Sequence, residues 1–166
     1  MKSTTRTQFQ FGIILLLFAL FMSAINECAA QREITINDYA GTGMSKENGV
    51  WYYNGEKKPF TGRITYTDRW KKALDSEHYY QNGCKNKVIS YQKDSVKQSE
   101  LNYNCKGDYH GDAIYYHKNG EVNSITKYIN GKREGVQKFF DEQGSLMKEV
   151  HFKADNQIKE IIHKDT

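Results

Sequence analysis

The chain is poor in what fills a thick globular core: of its 166 residues only 38% are apolar, while 27% are charged. That balance argues against a compact α/β domain. Its one long apolar run, Phe11 to Met22 (FGIILLLFALFM), is too short to span a bilayer comfortably. The basic residues are not gathered either. Lys57–Lys58, Arg69 to Lys72 and Lys132–Arg133 are the densest groups, and 24 Lys and Arg are mixed with 20 Asp and Glu. The concentrated basic face of a nucleic-acid binder is therefore missing. No G-x-S-x-G or P-loop pattern occurs. The five histidines, His78, His110, His117, His151 and His163, fall in no tight His/Cys pair, whereas a zinc site needs three or four convergent ligands. Carboxylate pairs such as Asp141–Glu142 sit in a polar tip open to water, where nothing raises one pKa for general-acid work. No enzyme activity, cofactor, metal or nucleic acid is expected.

What the chain does have is aromatic residues, 12 Tyr, 8 Phe and 2 Trp, more than a disordered chain carries. It should fold, as a thin and repetitive architecture. Residues 1–30 stand apart. Lys2 and Arg6 precede the apolar run, and Cys28-Ala29-Ala30 forms a cleavage pattern before Gln31, so the segment reads as a signal peptide and the protein as exported to a periplasm, a cell surface or the medium. Cys28 invites a rival reading as a lipid-anchored cysteine. The acidic Glu27 before it departs from the small residues such a signal wants, so membrane contact is expected only through the signal peptide.

The remainder is internally repeated. Read from Asn130, the sequence aligns without a gap onto the stretch from Lys106, 24 residues earlier. Gly107, Gly111, Tyr115, Tyr116, Gly120 and Tyr128 meet Gly131, Gly135, Phe139, Phe140, Gly144 and Phe152. Another 24 back, Asn82–Gly83 opens a degenerate unit in which Tyr91 meets Tyr115 and Lys87 replaces the second glycine. A first unit runs from Asn54–Gly55 through Gly62 to Tyr66, with three extra residues between its glycines and the only proline, Pro59. The organisation is then a lead-in at 31–49, four units over 50–154, and a tail at 155–166. Asn-Gly accepts the positive φ of a tight turn and is flanked by runs rich in Tyr, Phe, Val, Ile and Thr, so each unit reads as a β-hairpin. Hairpins in series make an all-β antiparallel meander that grows by one hairpin per unit. Only Ser45 to Asn48 and Gln157 to His163 would permit helix. Ile158 to Ile162 is read as a last strand closing the sheet edge, with a short capping helix as the alternative.

These residues carry a resemblance: Tyr52-Tyr53-Asn54-Gly55 with Pro59-Phe60-Thr61-Gly62, Tyr79-Tyr80-Gln81-Asn82-Gly83, Tyr115-Tyr116-His117-Lys118-Asn119-Gly120, and Asn130-Gly131 through Gly135 to Phe139-Phe140. The pattern, from about Val50 to about Phe152, resembles the MORN-repeat variant of bacterial YwqK-type antitoxin-like proteins. The resemblance implies an elongated single-layer sheet whose hairpins stack their aromatic side chains, with no catalytic residues. It is specific for fold and weak for function, because such repeats serve as scaffolds in many settings. The chain departs from it at Lys87 and over Thr67 to Asp75.

Cys84 and Cys105 remain beyond the signal peptide. With Phe140 set opposite Ser145 and both strands stepped back two units of 24, Gln92 faces Lys97, and eight residues further in Cys84 faces Cys105. Cross-strand Cα atoms lie about 5 Å apart, within disulfide range. A pair in an oxidising compartment is expected, with free reactive thiols the other reading. Tyr66, Tyr91, Tyr115 and Phe139 should form one aromatic ladder in register, with Tyr116 and Phe140 beside them on the opposite face. Such ladders stabilise a thin sheet, and they can also offer a flat aromatic surface to a ligand. The functional expectation is a binding or scaffold module for another protein or an envelope component. The alternatives are a periplasmic or surface neutralising protein of the immunity type and a glycan binder, with Trp51 and Trp70 as candidates.

Overall fold

The computed structural model of the chain describes residues 32–36, 43–68 and 73–163. The expected signal peptide with Cys28, the cut before Gln31, and Trp70 lie outside them. The strands are β1 (Arg32–Ile36), β2 (Met44–Glu47), β3 (Val50–Tyr53), β4 (Gly62–Thr67), β5 (Leu74–Gln81), β6 (Cys84–Tyr91), β7 (Lys97–Tyr103), β8 (Tyr109–Tyr116), β9 (Val122–Ile129), β10 (Lys132–Arg133), β11 (Gly135–Phe140), β12 (Leu146–Lys153) and β13 (Asn156–Ile162). No α-helix occurs among the described residues; one 3-10 turn covers Lys93–Ser95. A single large sheet runs β1-β4-β5-β6-β7-β8-β9-β11-β12-β13, with β10 also pairing β9, and its path does not close into a barrel. Every ladder from β4 onward is antiparallel. A separate hairpin pairs β2 with β3.

Two kinds of turn produce this order. Asn48, Asn82 and Asn130 have φ near +49° and are followed by glycines with positive φ, the two-residue turn whose twist matches that of its flanking strands. Neighbours in sequence are thereby forced to be neighbours in the sheet. At the other end the tips are wider and tied by short polar side chains: Asp141 Oδ1 accepts from the amides of Gln143 and Ser145, and Asn119 Oδ1 from that of Glu121. A register shift precedes each tip, at Tyr66/Thr67, Ser90/Tyr91, Tyr115/Tyr116 and Phe139/Phe140. Such bulges re-aim the next side chain and strengthen the local twist.

Three segments differ from the sequence expectation or resolve it. Ser45 to Asn48 is strand and turn, because Asn48–Gly49 is itself a hairpin turn joining β2 to β3. The tail is strand: β13 pairs β12 at the sheet's end. The turn leading into it, Ala154–Asp155, takes positive φ without an asparagine or a glycine, which is why composition does not announce it.

The sheet has two unlike faces. On one, Ile64, His78, Val88, Leu101, Ala113 and Thr126 form a continuous row of direct partners from β4 to β9. Its β4 end carries the only core cluster among the described residues: Phe60, Ile64, Tyr66 and Tyr80, with Ile34, Met44, Trp51 and Tyr53 against it. The β2–β3 hairpin seats there through backbone as well as rings. The Trp51 amide donates to the Gly83 carbonyl at 2.9 Å, and the Phe60 amide donates to the Trp51 carbonyl at 2.9 Å.

Candidate binding face

The face that bears Ile64 carries one arrangement three times. Phe60 and Tyr80 meet at 5.5 Å between ring centroids, Tyr109 and Tyr128 at 5.1 Å, and the Arg133 guanidinium lies 4.0 Å over Phe152. In each case the second member is the register partner of a glycine, Gly62, Gly111 or Gly135. The residue after the following turn position donates its amide back to the first member: Gly83 to Phe60 at 2.7 Å, Gly131 to Tyr109 at 2.8 Å, and Asp155 to Arg133 at 3.0 Å. Tyr103 extends the second cluster, 5.2 Å from Tyr109, and Lys85 stands 5.6 Å over it. Burial, and then the neighbouring Tyr109, push the Tyr103 hydroxyl up to about 12.

The ladder Tyr66, Tyr91, Tyr115 and Phe139 is only partly assembled. One unbroken cross-sheet row does contain Tyr66, Tyr115 and Phe139, separated by Ser76, Ser90, Ser99 and Ser124. Ser76, Ser99 and Ser124 are buried between those rings. Tyr91 is not in that row. It lies past the bulge on the opposite face with Tyr116 and Phe140, because the step from the second to the third unit, Tyr91 to Tyr116, is 25 residues. The same offset moves the degenerate glycine position to Asn86, whose buried Oδ1 has no hydrogen-bond partner. Lys87 points the other way, toward Glu100 at 3.7 Å. Gly55, Gly62, Gly83, Gly107, Gly111, Gly120, Gly131, Gly135 and Gly144 all take positive φ.

The opposite face is held by carboxylates. Glu77 accepts from Arg63 Nη1 at 2.9 Å, from the Tyr91 hydroxyl at 2.7 Å and from the Tyr79 hydroxyl at 3.2 Å, while Arg63 Nη2 reaches Glu33 of β1 at 2.7 Å. Glu100 accepts from Tyr116 at 2.7 Å and from Lys97. Burial pushes the Glu100 carboxyl up, but the bonds from Lys97 and Tyr116 and the charges of Lys97 and Lys87 outweigh it and hold it below the usual carboxylate range. A carboxylate so engaged ties strands together and has no proton to give at neutral pH.

Cys84 and Cys105 are joined in a disulfide with Cα atoms 4.9 Å apart, which is compatible with an oxidising environment. The register that places them together differs in detail from the sequence argument. Phe140 faces Leu146, and Phe139 faces Lys148, so the starting pair is displaced by the bulge, and one of the two steps is 25 residues on both strands. The two displacements cancel. The ladder Lys87–Asn102, Val88–Leu101, Ile89–Glu100 extrapolates to Cys84 opposite Cys105.

Of the histidines, His78 lies in the core row with its ring 4.7 Å from that of Tyr66, and His117 Nε2 is 2.9 Å from the Phe140 carbonyl. No group of three or more His, Cys, Asp or Glu placed to hold a metal ion occurs among the described residues. Sequence reasoning placed none of Phe60, Tyr80, Tyr103 and Tyr109 in the aromatic ladder, although Phe60 and Tyr80 belong to the motifs that carry the resemblance. A readable signal existed for Tyr80, Tyr128 and Phe152, each two residues before a turn. No family model, curated protein or solved structure matches the chain.

Proposed function

We propose that the chain is an exported, non-enzymatic array of tandem hairpins of the MORN-like kind, and that it works as a binding scaffold for another protein. Its repeat character is supported by the recurring clusters on the Ile64 face and by bulges that return every 24 or 25 residues. Export is supported by the N-terminal apolar run after Lys2 and Arg6 and fits a disulfide between Cys84 and Cys105.

One observation carries the binding role. Beyond the β2–β3 hairpin the aromatic face continues through Tyr103, Tyr109, Tyr128 and the 42%-exposed Tyr115 with no second layer over it among the described residues. Contiguous aromatic surface of this kind marks interaction sites. The test is affinity capture from the cell envelope with the disulfide-bonded chain as bait. Recovery of one dominant protein, lost when Tyr115 is changed to Ser, is the expected result. Capture that ignores that change, or binding only to a glycan array, would overturn it.

A further inference from the structure

The first of the three clusters shows how this face is covered. An extended strand, β3, lies against it. The Trp51 ring meets Tyr80 edge-on at 6.0 Å and 71°, the Trp51 amide donates to the turn carbonyl of Gly83, and its carbonyl accepts from Phe60. The second cluster has the same parts in the same order: Tyr109 for Phe60, Gly111 for Gly62, Tyr128 for Tyr80 and Gly131 for Gly83. No strand of the described residues lies where β3 lies in the first. Basic side chains outnumber the acids around it, although Asp108, held only by the neutral amide of Asn104, keeps its charge. Lys106 and Lys132 are exposed and Lys85 stands over Tyr103, while Asp155 is engaged by Arg133.

We infer that the Tyr103–Tyr109–Tyr128 surface is a second strand seat, and that it takes an extended segment of a partner protein carrying an aromatic residue flanked by acids. The partner's aromatic ring lies edge-on to Tyr128, its backbone amide donates to the Gly131 carbonyl, and its carboxylates meet Lys106 and Lys132. This is main-chain recognition with one aromatic anchor, and flanking charge sets the on-rate and the choice of partner. The inference rests on the binding-scaffold reading and adds the seat and the chemistry of what fills it.

The test uses the full, disulfide-bonded chain and a blocked peptide, Asp-Val-Trp-Tyr-Glu, in titration calorimetry. Saturable binding is expected, about tenfold weaker or more for a Tyr128→Ala chain, as for loss of a central anchor. It should also be several-fold weaker, with a flatter salt dependence, for Lys106→Glu with Lys132→Glu, two exposed positions whose replacement leaves the core intact. A peptide with Lys in place of its acids, or Ala in place of its Trp, should not bind. Lys138→Ala, on the other face, should change nothing. Binding that is absent, or that is indifferent to both Tyr128 and the lysine pair, overturns the seat. If envelope capture then still recovers a partner, the scaffold reading stands without it; if capture fails too, both fall.

Discussion

Beneath the β2–β3 hairpin, Ile64 has no exposed surface and Phe60 and Tyr80 keep 2% and 3%, whereas Tyr115, in the same cross-sheet row as Tyr66, keeps 42%. One face of one sheet is thus a closed core at its β4 end and an open aromatic surface further along. The difference lies in what covers it. At the β4 end two extra strands remove the rings from water, the dominant favourable term in folding. Further along, the rings cover one another, the serines between them and the buried Ala113 and Thr126, while Tyr115 keeps part of its apolar area in contact with water. A surface kept in that condition can still take up a partner.

That contrast can be broken or sharpened by substitution. Phe60→Ala should cost about 3–5 kcal/mol, the usual loss for a large aromatic in a closed core. Phe139→Ala, in the open part, should cost far less, about 1 kcal/mol, because its site is already partly hydrated. Equal losses in urea melts would mean that the two regions are packed alike. Replacing Cys84 and Cys105 with Ser should cost about 3 kcal/mol in the chain-entropy model. Because Cys84 follows Gly83, on which β3 is seated, amide exchange at Trp51 should accelerate more than exchange in β11. Uniform acceleration would argue against a local clamp.

The turn glycines separate the regions next. At Gly83, where φ is +74°, a Cβ would stand 2.3 Å from Val50 Cγ1 and 3.1 Å from the Trp51 nitrogen, so Gly83→Ala should lose about 2 kcal/mol and release the hairpin. At Gly131, where φ is +83°, the nearest atom would be Asp108 Cβ at 3.6 Å, and only the backbone cost of about 1 kcal/mol remains. Comparable thermal melts for the two variants would contradict this.

A pH dependence should be confined to the closed end. Burial first, and then the Lys85 cation, lower the His78 pKa from 6.5 to about 4, against an opposing pull from Asp75. The ring also faces Tyr66 and the Ser76 hydroxyl at 3.4 Å. A histidine that is neutral when folded and protonates more readily when unfolded contributes full stability above pH 6.5. That stability falls as pH drops from 6.5 toward 4. A His78→Phe chain should show a flatter profile across that window in denaturant titrations, and an unchanged slope would remove His78 as the cause.

Much of the all-β organisation was legible from Asn-Gly spacing, because a two-residue turn with positive φ admits few residue types and leaves its mark in composition. The pairing of Cys84 with Cys105 was legible for the same reason, although it came from two offsets that cancel. The β2–β3 hairpin was missed despite Asn48–Gly49, since its strands are short and fall on either side of the boundary drawn between the lead-in and the first unit. The turn at Ala154–Asp155 was missed because neither residue signals αL geometry.

By itself the sequence determined hairpins, their order and the alternation of side chains between two faces, all local consequences of turn chemistry and the period of a strand. The tertiary structure alone decided which aromatic residues share a face. A single added residue between the second and third units sends Tyr91 to the face of Glu77 and leaves Ser90 in the row of Tyr66 and Tyr115, because each residue of offset along a strand turns a side chain to the other side. The tertiary structure alone also decided where that face is covered, because only folding lays the β2–β3 hairpin across it.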